Sequence, residues 1–165
     1  MISTERLELT ELQEQDAEFI FALLNDPGWI RYIGDRGIKN LEDATNYIIT
    51  GPQASYKQFG FGLYKVTRQT DQVPIGLCGL LKRPHLNHPD IGFAFLGSFG
   101  GQGYALEASE AIMQEAKLKH QCEAVLAVTL PENEKSIKLL KKLGMRLVGE
   151  TRMSEDGEAL HLFST

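Results

Sequence analysis

The run Ser98-Phe99-Gly100-Gly101-Gln102-Gly103-Tyr104-Ala105-Leu106-Glu107-Ala108 leaves an apolar segment and opens onto a helical pattern. Glycines lack a Cβ, so such a turn can adopt left-handed backbone and point successive amides at one place. The helix start behind it adds roughly half a positive charge. That combination captures an anion, a phosphate above all, without needing a lysine. A tight loop whose glycines only relieve strain has the same letters, so the turn alone leaves both readings open. It is not a P-loop, since G-x-x-x-x-G-K-[ST] is absent, and the G-x-G-x-x-G spacing of a dinucleotide fingerprint is missing too.

The flanks place this turn inside a sheet. In Ile91 to Leu96, residues Ile91, Phe93 and Phe95 face one way and Gly92, Ala94 and Leu96 the other. With no polar side, the segment reads as an interior strand. A helix from Gly103 to about Lys119 follows, with Ala105, Ala108, Ile112 and Ala116 on one stripe, then a second apolar strand, Ala124 to Leu130. Strand, helix and strand in that order imply one parallel contact. Upstream, Arg6 to Leu12 reads as an edge strand, and Phe59 to Thr67 and Val73 to Leu81 as further strands. Two short helices lie between them. One is capped by Asp16 and runs through Phe19, Ile20, Leu23 and Leu24 to Asn25-Asp26-Pro27-Gly28. The other is capped by Asn40 and runs through Ala44, Tyr47 and Ile48. The stretch Trp29 to Gly37 has no period and reads as an anchored loop. Downstream, Asn133 to Leu143 is an amphipathic helix stopped by Gly144, and Met145 to Met153 with Ala159 to Phe163 form a hairpin. The sum is a mixed α/β (α+β) fold, one domain over residues 1–165.

Composition limits what this domain binds. Lys+Arg 17 against Asp+Glu 22 gives a net charge of −5, which argues against holding bulk nucleic acid by phosphate neutralisation. Any anion site must be local. No apolar run approaches the roughly 20 residues of a bilayer span, and Met1 to Arg6 lacks a signal peptide's basic and apolar regions. A soluble cytoplasmic protein without membrane partners is expected. Cys78 and Cys122 are far apart and not flanked by His or Cys, so they read as core thiols, with no disulfide framework and no metal.

A second informative run is Thr129 to Met145, containing Asn133-Glu134-Lys135-Ser136. Asn133 and Ser136 share a helix face. Simple capping accounts for them, and so does contact with a ligand. Lys135, Lys138, Lys141 and Lys142 are either a solvated face or partners for a phosphate.

Taken together, the two runs resemble the GNAT superfamily of acetyl-coenzyme A-dependent N-acetyltransferases. That family's loop reads Q/R-x-x-G-x-G/A, often continued as G-Y-A-x-E-A, and Gly101-Gln102-Gly103-Tyr104-Ala105-Leu106-Glu107-Ala108 is similar to it. Ser98 stands where Gln or Arg is usual. Asn133-Glu134-Lys135-Ser136 through Leu143-Gly144-Met145 resembles the second signature, N-x-x-S followed by L-G-F/M. Thr4-Glu5-Arg6-Leu7 and Asn25-Asp26-Pro27 look like the branch that acetylates ribosomal-protein N-termini.

The resemblance implies a GNAT fold of six to seven strands and about four helices, with the two central parallel strands splayed apart around acetyl-coenzyme A. It implies cofactor contacts at Phe93, Phe95, Leu96, Gly101, Gln102, Gly103, Tyr104, Ala105, Asn133 and Ser136. It also implies direct attack of an amine on the thioester. The family's usual proton-donating Tyr would fall at Leu140, so Ser136 becomes the candidate donor. Asp90 is the candidate base, beside its plainer reading as a turn residue. His85 and His88 read as polar surface, and Glu107 as structural. Trp29, Tyr32 and Asp35 are expected to border the acceptor groove, although Trp29 could equally be a core plug. The acceptor would be an α-amino group of a protein or peptide, with a small amine such as an aminoglycoside or polyamine as the alternative. A silent acyl-coenzyme A sensor is the non-enzymatic alternative. The expected state is monomer or homodimer.

Overall fold

The computed structural model describes residues 1–165. Strands β1 (Ile2–Ser3) and β2 (Leu7–Thr10) lead into α1 (Ala17–Leu24), α2 (Pro27–Tyr32) and α3 (Leu41–Ile48). A π turn at Ile49–Gln53 joins α3 to α4 (Ala54–Phe59). Then come β3 (Leu63–Arg68), β4 (Val73–Leu81), β5 (Asp90–Phe95), α5 (Tyr104–Leu118), β6 (Leu126–Thr129), α6 (Glu134–Lys142), β7 (Arg146–Thr151) and β8 (Leu160–Ser164). They form one eight-stranded sheet in the order β1-β2-β3-β4-β5-β6-β8-β7. Every neighbouring pair is antiparallel except β5 and β6.

The mixed fold and its parallel pair agree with the sequence, but the element count is higher. The added strand, β1, is two residues long and too short to carry a pattern. The stretch at Trp29, expected as a loop, is helix α2. Its start signal is Asp26-Pro27: the Asp26 carboxylate accepts the Gly28 N–H at 3.0 Å, and Pro27 fills the first turn, where a missing N–H costs nothing. Helix α4 takes Phe59, expected in a strand, and ends at Gly60 with φ 78°. Asn40 caps α3 as expected, accepting from the Asp43 N–H at 2.8 Å. Asp16 does not cap α1. One of its carboxylate oxygens takes Lys65 Nζ of β3 at 2.7 Å and the other accepts the Gln13 N–H at 2.9 Å, closing a capping box on the 3-10 turn Glu14–Asp16 one turn earlier.

Alternation along β5 divides the core in two. Ile91, Phe93 and Phe95 join the cluster built by Tyr104, Ala108, Ile112 and Ala116 of α5 with Leu140 and Phe163. Ala94 and Leu96 join the opposite cluster, of Ile20, Leu23, Trp29, Ala44 and Ile48. The small residues Ala108 and Ala116 bring α5 close to the sheet, as the stripe requires. Both cysteines are free thiols, and burial pushes that of Cys78 up to about 12 against the opposing contact of Ser109. No helix is long and apolar enough to cross a membrane.

Candidate active site

The pairing of β5 with β6 begins and stops at one position, Asp90 opposite Leu126. Beyond it the two strands run on without a ladder, so they diverge toward their carboxyl ends. Main-chain parity says which groups face the gap. Leu96 N–H donates to Ile75 C=O at 3.0 Å, and the β4–β5 register is unbroken from Leu81↔Asp90 to Gly76↔Phe95. Residues of an antiparallel pair alternate between exchanging hydrogen bonds with the partner and turning away from it. Leu96, Ala94 and Gly92 therefore address β4, while the N–H and C=O groups of Phe93 and Phe95 point at the widening gap. Leu96 differs from the expectation: its N–H is held by Ile75 and its C=O accepts from Phe99 at 2.9 Å, so neither is free for a ligand.

Past β5, a 3-10 turn at Gly97–Phe99 is pinned by Gly97 N–H to Asp26 Oδ2 at 3.3 Å. The chain then takes left-handed backbone at Gly101, φ 75°, and Gly103, φ 82°, before α5 begins. The main-chain amides from Gly101 through Leu106 donate to no acceptor in the protein. A run of unpaired amides at the start of a fifteen-residue helix is an anion cradle. Tyr104 and Ala105 contribute through their amides, and the Tyr104 side chain is buried. Ser98 lies in the 3-10 turn and is exposed.

What holds the cradle open was not expected. The Arg6 guanidinium reaches under it, donating through Nη1 to Gln102 C=O at 2.9 Å and through Nε to Glu107 Oε2 at 2.7 Å, and it lies 4.4 Å from the Tyr104 ring centre. Because a trans peptide directs its N–H opposite to its C=O, fixing the Gln102 carbonyl toward Arg6 turns the Gly103 N–H outward. Glu107 in turn accepts from Thr4 Oγ1 at 2.6 Å and from the Arg6 N–H at 2.8 Å. Burial alone would raise the Glu107 carboxyl, but hydrogen bonds from Thr4 and Arg6 outweigh it and hold the group below its ordinary value. The signal was present in Thr4-Glu5-Arg6, but spacing cannot show that a residue one hundred positions away receives it.

Asn133 and Ser136 sit at the carboxyl end of β6, across the divergence from the cradle. Asn133 Oδ1 accepts the Ser136 N–H at 3.3 Å, so it does cap α6, and its side-chain amide N–H₂ remains without a partner. The Ser136 hydroxyl makes no hydrogen bond in the protein. Leu140 is a core residue, 1% exposed, packed among α5 and sheet residues.

The remaining candidates separate. Asp90 is 1% exposed, and both of its oxygens meet Arg83 Nε, at 3.2 and 3.1 Å. Burial raises its pKa against the opposing pull of Arg83. This corrects the expectation of a base acting directly: the carboxylate is enclosed and already paired. Trp29 is a core plug, 6% exposed among Leu12, Leu77 and Ile38, with its indole N–H unpartnered. Tyr32 is half-buried under the Arg31 guanidinium. Asp35 is exposed and accepts from the Gly37 N–H at 2.8 Å. Tyr47, not singled out from the sequence, lies in the field of both Arg36 and Arg83. Burial raises its phenol, and the two guanidinium groups oppose the rise.

An Asp90→Asn variant is expected to keep the limbs of the wild-type pH-rate profile and lose thermal stability, because Arg83 loses its charged partner. A lost acidic limb would restore Asp90 as the base.

Diverging parallel strands lead into an amide cradle on one side and a capped Asn-Ser pair on the other, an arrangement that suits a long ligand with an anionic group at one end. The acetyltransferase (GNAT) domain profile matches residues 6–146, and the chain belongs to that family. It is 26% identical over 148 residues to the uncharacterized N-acetyltransferase YnaD of Bacillus subtilis, spanning 90% of this chain and 84% of that protein. RimL, a ribosomal L7/L12 α-N-protein acetyltransferase solved with coenzyme A, superposes with a TM-score of 0.84 at 16% identity, covering 98% of this chain and 94% of that one. MccE, the microcin C7 self-immunity acetyltransferase solved with acetyl-CoA and AMP, also gives 0.84 at 16% identity, covering 98% and 93%. The protein is an N-acetyltransferase that uses acetyl-coenzyme A.

Proposed function

We propose that the acceptor is the α-amino group of a protein or peptide. The observation that carries this is the charge beside β5. Asp90 is already matched by Arg83, and Arg36 joins Arg83 around Tyr47. A polyamine, with several positive charges to satisfy, meets guanidinium groups there, whereas a chain terminus brings one amine and a backbone that follows it. RimL acts on such an α-amino group by name, which supports the same assignment.

Acetyl-coenzyme A supplies an activated acyl thioester. The free amides of residues 101–106 would hold its diphosphate, and the main-chain groups of Phe93 and Phe95 would extend the sheet onto its arm. The Asn133 side-chain amide would hold the same arm from the other strand. Alignment of two bound molecules contributes roughly 7 to 11 kcal/mol, against about 3 to 5 for a single general base. We therefore assign proton removal from the amine to water rather than to a dedicated carboxylate. Ser136 Oγ–H would pass its proton to the departing sulfur and regain one from the water that took it from the amine, so that the C–S bond broken is replaced by the new amide C–N bond and the products are the acetylated amine and the free thiol. Ser136→Ala is expected to lower kcat roughly 100-fold with unchanged affinity for acetyl-coenzyme A. An unchanged kcat would remove Ser136 as the donor.

The test is release of free thiol from acetyl-coenzyme A with a panel of acceptors. Peptides with a free amino terminus should turn over. The same peptides blocked at the terminus but carrying an internal lysine, spermidine and an aminoglycoside should not. Faster turnover with spermidine or the aminoglycoside would assign a small-amine acceptor. Thermal stabilisation by acetyl-coenzyme A without thiol release from any amine would mark a binding protein.

A further inference from the structure

A cavity of about 260 Å³ lies between α3, α4 and the sheet, floored by Leu63 and Leu81 and walled by Tyr47, Thr50 and Ser55. Its floor borders β5: a Cβ added to Gly92 would lie 3.1 Å from Leu81 Cδ1 and 3.4 Å from Leu63 Cδ2, and Gly92 directly precedes Phe93. Part of the wall is the π turn Ile49–Gln53, an irregularity that recurs at functional sites. Lys82 is the single charged residue of the lining. Its Nζ donates to Leu86 C=O at 2.8 Å and has no carboxylate partner, so the remaining ammonium N–H groups stay open. The Tyr47 hydroxyl makes no hydrogen bond within the chain and adds a second open donor. In the same loop as Lys82, Arg83 donates through Nη1 to Met153 Sδ at 3.3 Å and so ties the β7–β8 hairpin to this end of the sheet. The hairpin's own acids, Glu155, Asp156 and Glu158, are exposed and pair with none of these cations.

We propose that this cavity receives an acidic side chain at the second or third position of the acceptor peptide, its carboxylate meeting Lys82 and the Tyr47 hydroxyl. The proposal rests on the α-amino reading above and sets the sequence preference of that same site. Reach agrees with it. The amine must meet the thioester beside Phe93 of β5, while Leu81 and Leu63 stand on the next two strands, β4 and β3. Strands lie about 4.7 to 4.9 Å apart, so the floor is roughly 5 to 10 Å from β5, a span that two or three extended residues at about 3.3 Å each cover. Chemistry agrees as well. The leucine floor accommodates the methylenes of an aspartate or glutamate, and a charge-assisted hydrogen bond to the ammonium group fixes its carboxylate. A lysine at the same position would set like charge against Lys82, so the cavity selects by repulsion as well as attraction.

The test compares kcat/KM of the full chain on peptides that share a free amino terminus and carry Glu, Ala or Lys at positions two and three. With wild type, the Glu peptide should exceed the Lys peptide by roughly tenfold or more, with KM carrying most of the difference. Lys82→Glu should invert that order, and Tyr47→Phe should narrow it. Titration with coenzyme A, whose contacts do not include Lys82 or Tyr47, reports whether each variant is folded, and the wild-type comparison needs no variant at all. Equal kcat/KM for the Glu and Lys peptides overturns the proposal and leaves the α-amino reading standing. A Glu preference that survives Lys82→Glu overturns it too, since the selection then lies elsewhere. If no peptide with a free terminus turns over, the α-amino reading fails and this proposal fails with it.

Discussion

Gly103→Val is expected to weaken coenzyme A binding by roughly 100-fold or more, the loss of two or so charge-assisted amide hydrogen bonds at about 1.5 to 3 kcal/mol each. Gly103 sits at φ 82°, a conformation that a β-branched residue leaves, and a Cβ there would lie 3.3 Å from Arg6 Nη2. Relaxing the backbone turns the amides of residues 103 to 105 away from a common point, and shifting Arg6 releases the Gln102 carbonyl. Gly101 offers an internal comparison. Its φ is 75° but a Cβ there meets nothing within 4 Å, so Gly101→Ala carries only the conformational cost, about 1 to 2 kcal/mol. Isothermal titration with coenzyme A measures both. Wild-type affinity in Gly103→Val would show that the amides of this turn do not hold the ligand.

Glu107→Ala is expected to be the most damaging single change to stability near the site. It removes the acceptor for the Thr4 hydroxyl, the Arg6 amide and the Arg6 Nε together. Hydrogen bonds to a charged group contribute about 1.5 to 3 kcal/mol. Arg6 is 40% exposed and partly screened, so a total near 2 to 3 kcal/mol is expected, or roughly 5 to 10 °C in Tm for a chain of this size. Affinity for coenzyme A should fall as well, because Arg6 then no longer fixes the peptide between Gln102 and Gly103. The pH dependence has a definite sign. The folded Glu107 carboxyl lies below its ordinary value of 4.5, so the unfolded chain takes up the proton first. Its contribution is complete above about pH 4.5 and is lost as pH falls through the folded value. The Tm difference between wild type and Glu107→Gln should therefore shrink on acidification below 4.5. A constant difference across that range would mean that Glu107 is not held ionised by Thr4 and Arg6.

Patterns confined to a single element were legible in the sequence. Alternation in Ile91 to Leu96 gave an interior strand with Phe93 and Phe95 on one side, and β5 has that arrangement. The small-residue stripe of Ala108 and Ala116 gave a helix lying close to the sheet. Glycines at 101 and 103 gave left-handed backbone at the turn, and Asn40 gave the cap of α3. Features that depend on contact between distant segments were not legible. Asp16 has the letters of a cap for α1, yet its carboxylate serves the 3-10 turn before it and Lys65 of β3. Asp90 has the position of a base, yet Arg83 encloses it, and no spacing rule foretells an ion pair across a loop. Trp29 lacks a helical period because its helix is only six residues long and turns one large ring inward. The Asp26-Pro27 start signal directly follows the end of α1, where the same letters serve equally as a helix stop. The clamp of Thr4 and Arg6 on Glu107 joins the first strands to the anion turn, which only the folded sheet brings together.

The central claim is that main-chain groups at two adjoining places grip the cofactor: the amides of residues 101–106, and Phe93 and Phe95 at the edge of the gap between β5 and β6. A titration of isotope-labelled protein with coenzyme A, followed amide by amide in nitrogen-proton correlation spectra, measures this directly. The largest shifts should fall on Gly101 through Leu106 and on Phe93 and Phe95, with β1 and β2 little changed away from Thr4 and Arg6. Saturable binding that leaves the Gly101 to Leu106 amides unmoved would contradict it.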